Sequence, residues 1–508
     1  MKPNDHIAPF LAQPINLRVG LNHLGYRNAA EDLFTNLLPG LNNVTARIRY
    51  YSFYCWLLDR FFEVKQQPTV GEYIGFIRYS EYLLAILHTG LQDTSGIPGI
   101  DYALNVMGSK PDTVDLKSGS YNANGTTRGT YWANPGGVLR QYYGSSLNDI
   151  GVTVPSQKLP GISDVSKQGA EITGKELADC FEEGIGHDAS SLFLDCVAKG
   201  IVSQTEREAL VAPFTMKGAF GNELERDMLI EMLLQEDFPG RSERTYRRET
   251  IRLYLEYCAD PSVSDYRDDL GFPRYLYERY LQGERDNPCI IGWYCFYLND
   301  VWQYNASIIF DRILEILQKD KQGRWVKLEE FSAEIASSVV AFFNAEDKTL
   351  KAVLANRCDV TGEDNMGIIA GAISRILDYH VTNISSWPTA DSLKLLFGYA
   401  DEDDFHTVST FISAHGEMTF MDFVKYIIES KIIYRHYNVS LRKFYQTGVA
   451  SHKFMLEDGH IRYLKDTVTQ VTHTSPRLVS LRGFLSDLDL VQGYVLTEKG
   501  KEILSRLS

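Results

Sequence analysis

From Ala189 to about Tyr445 almost every stretch of the chain carries the apolar spacing of helices, and a run of that length dictates the architecture. Residues 220–234, 243–257, 290–318, 328–343, 366–379 and 420–444 each put apolar side chains three and four positions apart. Proline and glycine punctuate between them at Pro239-Gly240, Pro261, Phe272-Pro273 and Trp387-Pro388. Strand signals are almost absent, and no fixed repeat period emerges, so the expectation is an all-helical scaffold over 189–445 and not a regular repeat array. The N-terminal part agrees. One helix is expected to stop at Leu37-Leu38-Pro39-Gly40, a second covers 43–62, and a third covers 70–90. The fold class is therefore mainly α and multi-helical.

The C-terminal end departs from this pattern. Lys453-Phe454-Met455-Leu456 and His460-Ile461-Arg462-Tyr463-Leu464 flank Asp458-Gly459, and Asp-Gly between two such runs is a strong hairpin signal because the primed turns need positive φ. The chain from about Ser475 onward then reads as a helix over 475–487, a short strand over 494–496 and a final helix capped by Thr497. This is the order of the second half of a winged helix, so a C-terminal winged-helix-like module is expected over 446–508. A similar order recurs near 137–185, where Leu147, Asp149 and Ile150 match Leu485, Asp487 and Leu488 in kind. Two readings stay open there: a second winged-helix-like module, or chance recurrence of a common order. The domain organisation read this way is 1–91 helical, 92–188 loop-rich, 189–445 helical scaffold and 446–508 terminal module.

A chain of 508 residues with 44% hydrophobic content can bury more than one core. The N-terminal MKPNDHIAPF lacks the order of a signal peptide, and no apolar run reaches the ~18 residues of a membrane span, so a cytoplasmic protein is expected. The seven cysteines are scattered without a C-x-x-C pair and read as reduced core thiols.

The net charge of −15 excludes a wholly nucleic-acid-binding surface. Its distribution is uneven. Residues 431–508 hold twelve Lys and Arg against seven Asp and Glu, a net of +5 that leaves about −20 for residues 1–430. Arg435, His436, Tyr437, Arg442 and Lys443 make the helix before the hairpin basic, which suits a phosphate track, a solvated face or a docking face for an acidic region. Arg477 and Arg482 on the candidate recognition helix, with Lys499 and Lys501 near the wing, complete the candidate set for DNA or a protein partner. Asp487 and Asp489 count against a DNA reader. Arg47 and Arg49 form a secondary candidate among seven aromatics in 50–62, which either stack bases or, as the commoner outcome, form core. In the core reading a buried guanidinium needs an acidic partner, and Asp59 or Glu31 are the nearest choices.

Catalytic patterns are weak. Gly169-Ala170-Glu171-Ile172-Thr173-Gly174-Lys175 satisfies the glycine and lysine spacing of a phosphate loop, but Glu176 stands where a magnesium-binding hydroxyl belongs. Thr173 with Glu176 reads better as a helix capping box. His187-Asp188 and His380 stand alone, and Asp401-Glu402-Asp403-Asp404 reads as the solvated start of a helix. No metal site and no cofactor is expected, and the reading leans away from an enzyme. The alternative is a nuclease or nucleotide-processing site assembled from the polar stretch 92–135.

Leu37 to Phe61, LLPGLNNVTARIRYYSFYCWLLDRF, with FIRYSEYLLAILH at 76–88 and IIYRHYNVSLRKFYQTGVASHKFMLEDGHIRYL at 432–464, resembles a set of poorly characterised bacterial proteins. These share a leucine-proline-glycine and arginine-aromatic-phenylalanine-tryptophan signature, and some occur near phage-defence and restriction genes. The resemblance touches both ends and little of the middle. It implies a bacterial defence or mobile-element setting and assigns no catalytic residue. With the winged-helix-like ends and the basic C-terminal residues, the expected role is a non-enzymatic component of a bacterial antiviral defence complex that contacts double-stranded DNA or a protein partner such as an ATPase, and no membrane. A purely structural adaptor is the further alternative.

Overall fold

The computed structural model describes residues 22–217, 223–236, 246–266, 268, 270–356, 360–397, 404–464 and 471–508. It is mainly helical, as the periodicity predicts, and the nine strands among the described residues are two to four residues long. No described helix is long and apolar enough to cross a membrane. The chain divides into two compact units, each built from separate stretches: residues 1–34 with 276–474, and residues 35–275 with 475–508.

The second of these units is organised around the Arg49–Val64 helix. Apolar on nearly every side, it is buried through most of its length, and Trp56 lies 5.5 Å from the Phe181 ring, 5.6 Å from Phe193 and 5.7 Å from Phe214. The helix begins at Arg49 and not at Asn43, because the Asn42 side chain accepts from the backbone N–H groups of Val44 and Thr45 and turns the chain locally. The Val70–His88 helix follows behind a Thr69–Glu72 capping box.

Two segments of this unit share one backbone design. In the first, the Gly144–Ile150 helix ends at Gly151 (φ +89°), a hairpin pairs Thr153–Pro155 with Ser163–Val165, and Thr173 caps the Gly174–Ile185 helix. In the second, the Leu478–Asp487 helix is followed by Asp489 (φ +60°), Val491–Gln492 pairs with Val495–Leu496, and Thr497 caps the Glu498–Leu507 helix. Matching hydrogen bonds close both, from Val152 N–H to Leu147 O (3.1 Å) and from Leu490 N–H to Leu485 O (2.8 Å). A glycine is required at the same place in each, since a Cβ on Gly174 would lie 2.0 Å from Val152 O and one on Gly500 2.0 Å from Leu490 O. The terminal helix starts at Leu478 and not near Ser475. Pro476 disfavours helical geometry at Ser475, and Arg477 takes a left-handed conformation (φ +63°).

In the unit of 1–34 and 276–474, the 28-residue Pro288–Glu315 helix is capped by Asn287, with Pro288 in its first turn. It packs against Asn365–Asn383 and buries Trp293 and Trp302. The hairpin forms as expected: Phe454–Glu457 pairs with His460–Tyr463 through Asp458 (φ +46°) and Gly459 (φ +69°). Val326–Lys327 adds a third strand against His460–Tyr463, and in the other unit Ile201–Ser203 pairs with Thr113–Asp115. Pieces of two or three residues leave no period in a sequence, which explains why strand signals looked absent there. The stretch expected as one helix over 420–444 is Phe420–Tyr426, a π-helical turn at Ile427–Ile433, and Tyr434–Thr447. Asp404 caps the Phe405–Ala414 helix. Phe220, Glu243, Cys358 and Asp401 to Asp403 lie outside the described residues.

Candidate nucleic-acid interface

The two N-terminal arginines are internal. Arg47 donates from Nη1 to Asp487 Oδ1 at 2.9 Å and from Nε and Nη2 to Ser95 O. Arg49, almost wholly buried, holds Glu225 at 3.0 Å, donates to Pro213 O and Thr215 O, and lies over the Phe181 ring. The buried acidic partners are Asp487 and Glu225, while Asp59, one of the expected ones, pairs with Arg60 and Lys175. The actual partners lie 440 and 176 positions away, beyond the reach of helix-spacing arguments. The aromatic residues around them are core.

Arg49 belongs to a set of buried charges that pin irregular chain. Arg78 donates to the carbonyl oxygens of Ser120, Trp132 and Asn134. Glu81 accepts from Tyr131 Oη (2.5 Å), Tyr54 Oη (3.1 Å), Val138 N–H (2.9 Å) and Leu139 N–H (2.8 Å), and burial raises its pKa against the pull of those bonds. Arg247 donates to Pro39 O, Leu233 O and Gln235 O. The polar stretch 92–135 is thus held by its backbone to Arg78, and the 138–139 turn to Glu81. Sequence reading missed Arg78, Glu81, Glu225 and Arg247. The available signal was a charged residue inside an otherwise apolar helix, as at Arg78 in Phe76-Ile77-Arg78-Tyr79.

In the terminal segment, Arg477 donates to Leu38 O at 3.2 Å, and Arg482 lies over the Tyr494 ring at 4.8 Å. Lys499 pairs with Asp227 and Arg506 with Glu231, fastening the last helix to the Glu223–Leu234 helix, while Lys501 pairs with Glu498. The Leu478–Asp487 helix buries Leu478, Leu481, Phe484 and Leu485, with Phe484 edge-on to Tyr51 at 5.5 Å. An open apolar cleft of about 670 Å³ runs between Cys258, Ala259 and Pro261 on one side and Val495, Leu496 and Leu504 on the other.

The phosphate-loop pattern resolves into the capping box: Thr173 Oγ1 accepts from Glu176 N–H, Glu176 accepts from Thr173 N–H, and Lys175 pairs with Asp59 and Asp179. Among the described residues, no three His, Cys, Asp or Glu side chains converge on a point where a metal ion could sit.

The basic Tyr434–Thr447 helix has two faces. On the inner one, Arg435 Nε donates to Leu24 O (2.7 Å) and the guanidinium lies over the Tyr26 ring; Lys443 Nζ donates to Asn22 O (2.5 Å). His436 is fully buried, with Nδ1 against His23 O (3.1 Å) and Nε2 accepting from Lys453 N–H (3.0 Å). Burial, with His23, His452 and Lys453 beside it, pushes the His436 pKa down to about 3, so the ring is neutral. Three of the expected phosphate ligands therefore grip residues 22–24 of the chain itself. The outer face carries Tyr434 (46% exposed), Asn438, Arg442 and Tyr445 (79% exposed). Their spacing of four, four and three places them on one stripe. Of the candidate cations on this helix, Arg442 is the one directed to solvent. Residues 431–453 contain five Lys and Arg and no Asp or Glu.

No family model, no curated protein and no solved structure matches the chain.

Proposed function

We propose that the chain is a non-enzymatic component of a bacterial antiviral defence complex, and that it contacts a DNA backbone through the outer face of the Tyr434–Thr447 helix. The setting rests on the resemblance of its two ends. The contact rests on one observation: Arg442, between exposed Tyr434 and Tyr445, stands in a 23-residue stretch without a carboxylate, on a chain of net charge −15. An exposed guanidinium takes phosphate in bidentate fashion, and exposed tyrosines add sequence-tolerant base stacking. Such contacts position without reading sequence. The winged-helix-like terminal segment serves mainly as a packing element in this proposal, because Lys499 and Arg506 hold carboxylates of the same unit.

A second reading, docking of a protein partner such as an ATPase, is favoured by the cleft beside Val495, which is 60% exposed. DNA titration of the full chain over a salt series distinguishes the two: salt-dependent binding weakened by Arg442→Glu supports the first, and its absence at low salt leaves the protein-partner reading.

A further inference from the structure

His473 and Asp300 form a pair that no part of the DNA-contact proposal uses. Asp300, in the Pro288–Glu315 helix, is 5% exposed, and its Oδ2 lies 2.6 Å from His473 Nδ1. Its other oxygen accepts from Thr474 N–H (2.6 Å) and Gln303 Nε2 (3.0 Å), so the carboxylate is fixed at both ends. The imidazole lies flat on the Tyr304 ring, 3.9 Å between centroids and 6° between planes. Ring position and ring plane are both determined. A carboxylate on Nδ1 sets the tautomer with its proton there, which leaves the Nε2 lone pair available. The His473 side chain is 38% exposed. Beside it, Arg27 Nη2 donates to Thr472 O (2.8 Å), which places a guanidinium at the residue next to the imidazole.

A tautomer-fixed, partly exposed imidazole backed by a buried carboxylate and flanked by a guanidinium has the parts needed to take an anionic electrophile. We propose that His473 is a phosphoryl-acceptor site served by a donor of the acyl-phosphate class. The Nε2 lone pair attacks phosphorus and forms the N–P bond. The P–O bond to the acyl oxygen breaks, and its electron pair leaves on the released carboxylate. The Nδ1 proton stays in its hydrogen bond to Asp300, whose charge balances the cationic ring. An acyl phosphate matches the demand for a donor of high transfer potential, because the N–P bond formed is itself labile. Arg27, whose Nε and Nη2 are bound to Gln303 and Thr472, adds positive charge beside this stretch of chain.

The molecule holds its own controls. His415 and His460 also have Nδ1 engaged, but by the carbonyl oxygens of Phe411 (2.9 Å) and Asp458 (2.7 Å) instead of a carboxylate, while the His187 side chain is 88% exposed. The test incubates the full chain with acetyl phosphate and follows acid-labile, alkali-stable phosphorylation by intact mass and fragment mapping. His473 is expected to label at least about tenfold faster than His415 or His460, a difference of one decade in rate. His473→Asn should remove this adduct, and Asp300→Asn should lower its rate to that of the control histidines. Labelling that follows exposure, with His187 ahead, or no acid-labile adduct at all, overturns the proposal. The comparison with His415 and His460 is made within the unsubstituted protein, so it holds even if the Asp300 variant folds poorly.

Discussion

Arg47 Nη1 lies 2.9 Å from Asp487 Oδ1, joining two residues 440 positions apart in one buried ion pair. The carboxylate that had weakened the terminal helix as a DNA reader is in fact internal. Burial pushes the Asp487 pKa up to about 6 even with Arg47 beside it. Its proton affinity is thus higher in the folded than in the unfolded chain, and the associated stability is present at low pH and lost as pH rises from about 4 through 6. Arg47→Ala leaves the charge uncompensated and should cost about 3–5 kcal/mol at pH 8. The cost should be smaller at pH 5.5, where Asp487 takes up a proton. Denaturant melts of both proteins at the two pH values check this, and an equal cost at both would contradict it.

Glu81 carries four hydrogen bonds, two of them from backbone N–H groups of the 138–139 turn. Glu81→Ala should cost about 3 kcal/mol or more, because four buried donors lose their acceptor together. The same variant should raise amide exchange at Val138 and Leu139 above the rest of the unit. Exchange that stays unchanged there would show that the carboxylate does not hold the turn.

The backbone design found twice makes a paired prediction. Gly174→Ala and Gly500→Ala each drive a Cβ against a carbonyl oxygen at 2.0 Å, so each should lower stability by about 2 kcal/mol or more. Gly71→Ala and Gly75→Ala, whose added Cβ would meet nothing within 4 Å in the Val70–His88 helix, should be neutral or slightly stabilising. Thermal melts of the four variants give the comparison.

His436 supplies an acid-sensitive element. Its folded pKa of about 3 lies below the unfolded value of ~6.5, so the unfolded chain binds the extra proton and stability falls as pH drops below 6.5. At pH 5 the loss from this residue is about 2 kcal/mol. Lys453 adds positive charge, and the hydrogen bond from Nδ1 to His23 O offsets only part of the cost of burial. Replacing the ring by His436→Gln should flatten the pH dependence of the melting temperature between pH 7 and 5 by the corresponding amount. A slope unchanged in the variant would place the acid sensitivity elsewhere.

Much of the helical framework was legible because its causes are local. The Thr173–Glu176 box, the Thr497 cap and the Asp458-Gly459 turn act within a few residues, and each is where the residue pattern put it. The Leu147-to-Ile150 and Leu485-to-Leu488 correspondence was also visible, since a left-handed residue and a capped helix leave marks in sequence. The partners of Arg47, Arg49 and Arg78 were not. Those depend on which distant segment packs against a buried guanidinium, and no spacing rule carries that. The Tyr434–Thr447 helix was legible as basic but its faces were not: Arg435 and Lys443 share the basic composition of Arg442, and only packing shows that they bind the carbonyls of Leu24 and Asn22.

The most direct measurement is a titration of the full chain against a fluorescent DNA oligonucleotide, repeated from low to physiological salt, for the unsubstituted protein, Arg442→Glu and Tyr445→Ala. The account predicts affinity that falls as salt rises, a loss of about tenfold or more in Arg442→Glu with a salt slope shallower by about one, and a loss in Tyr445→Ala of about 1–3 kcal/mol per stacked base. Undetectable binding at low salt, or binding by Arg442→Glu equal to that of the unsubstituted protein, would contradict it.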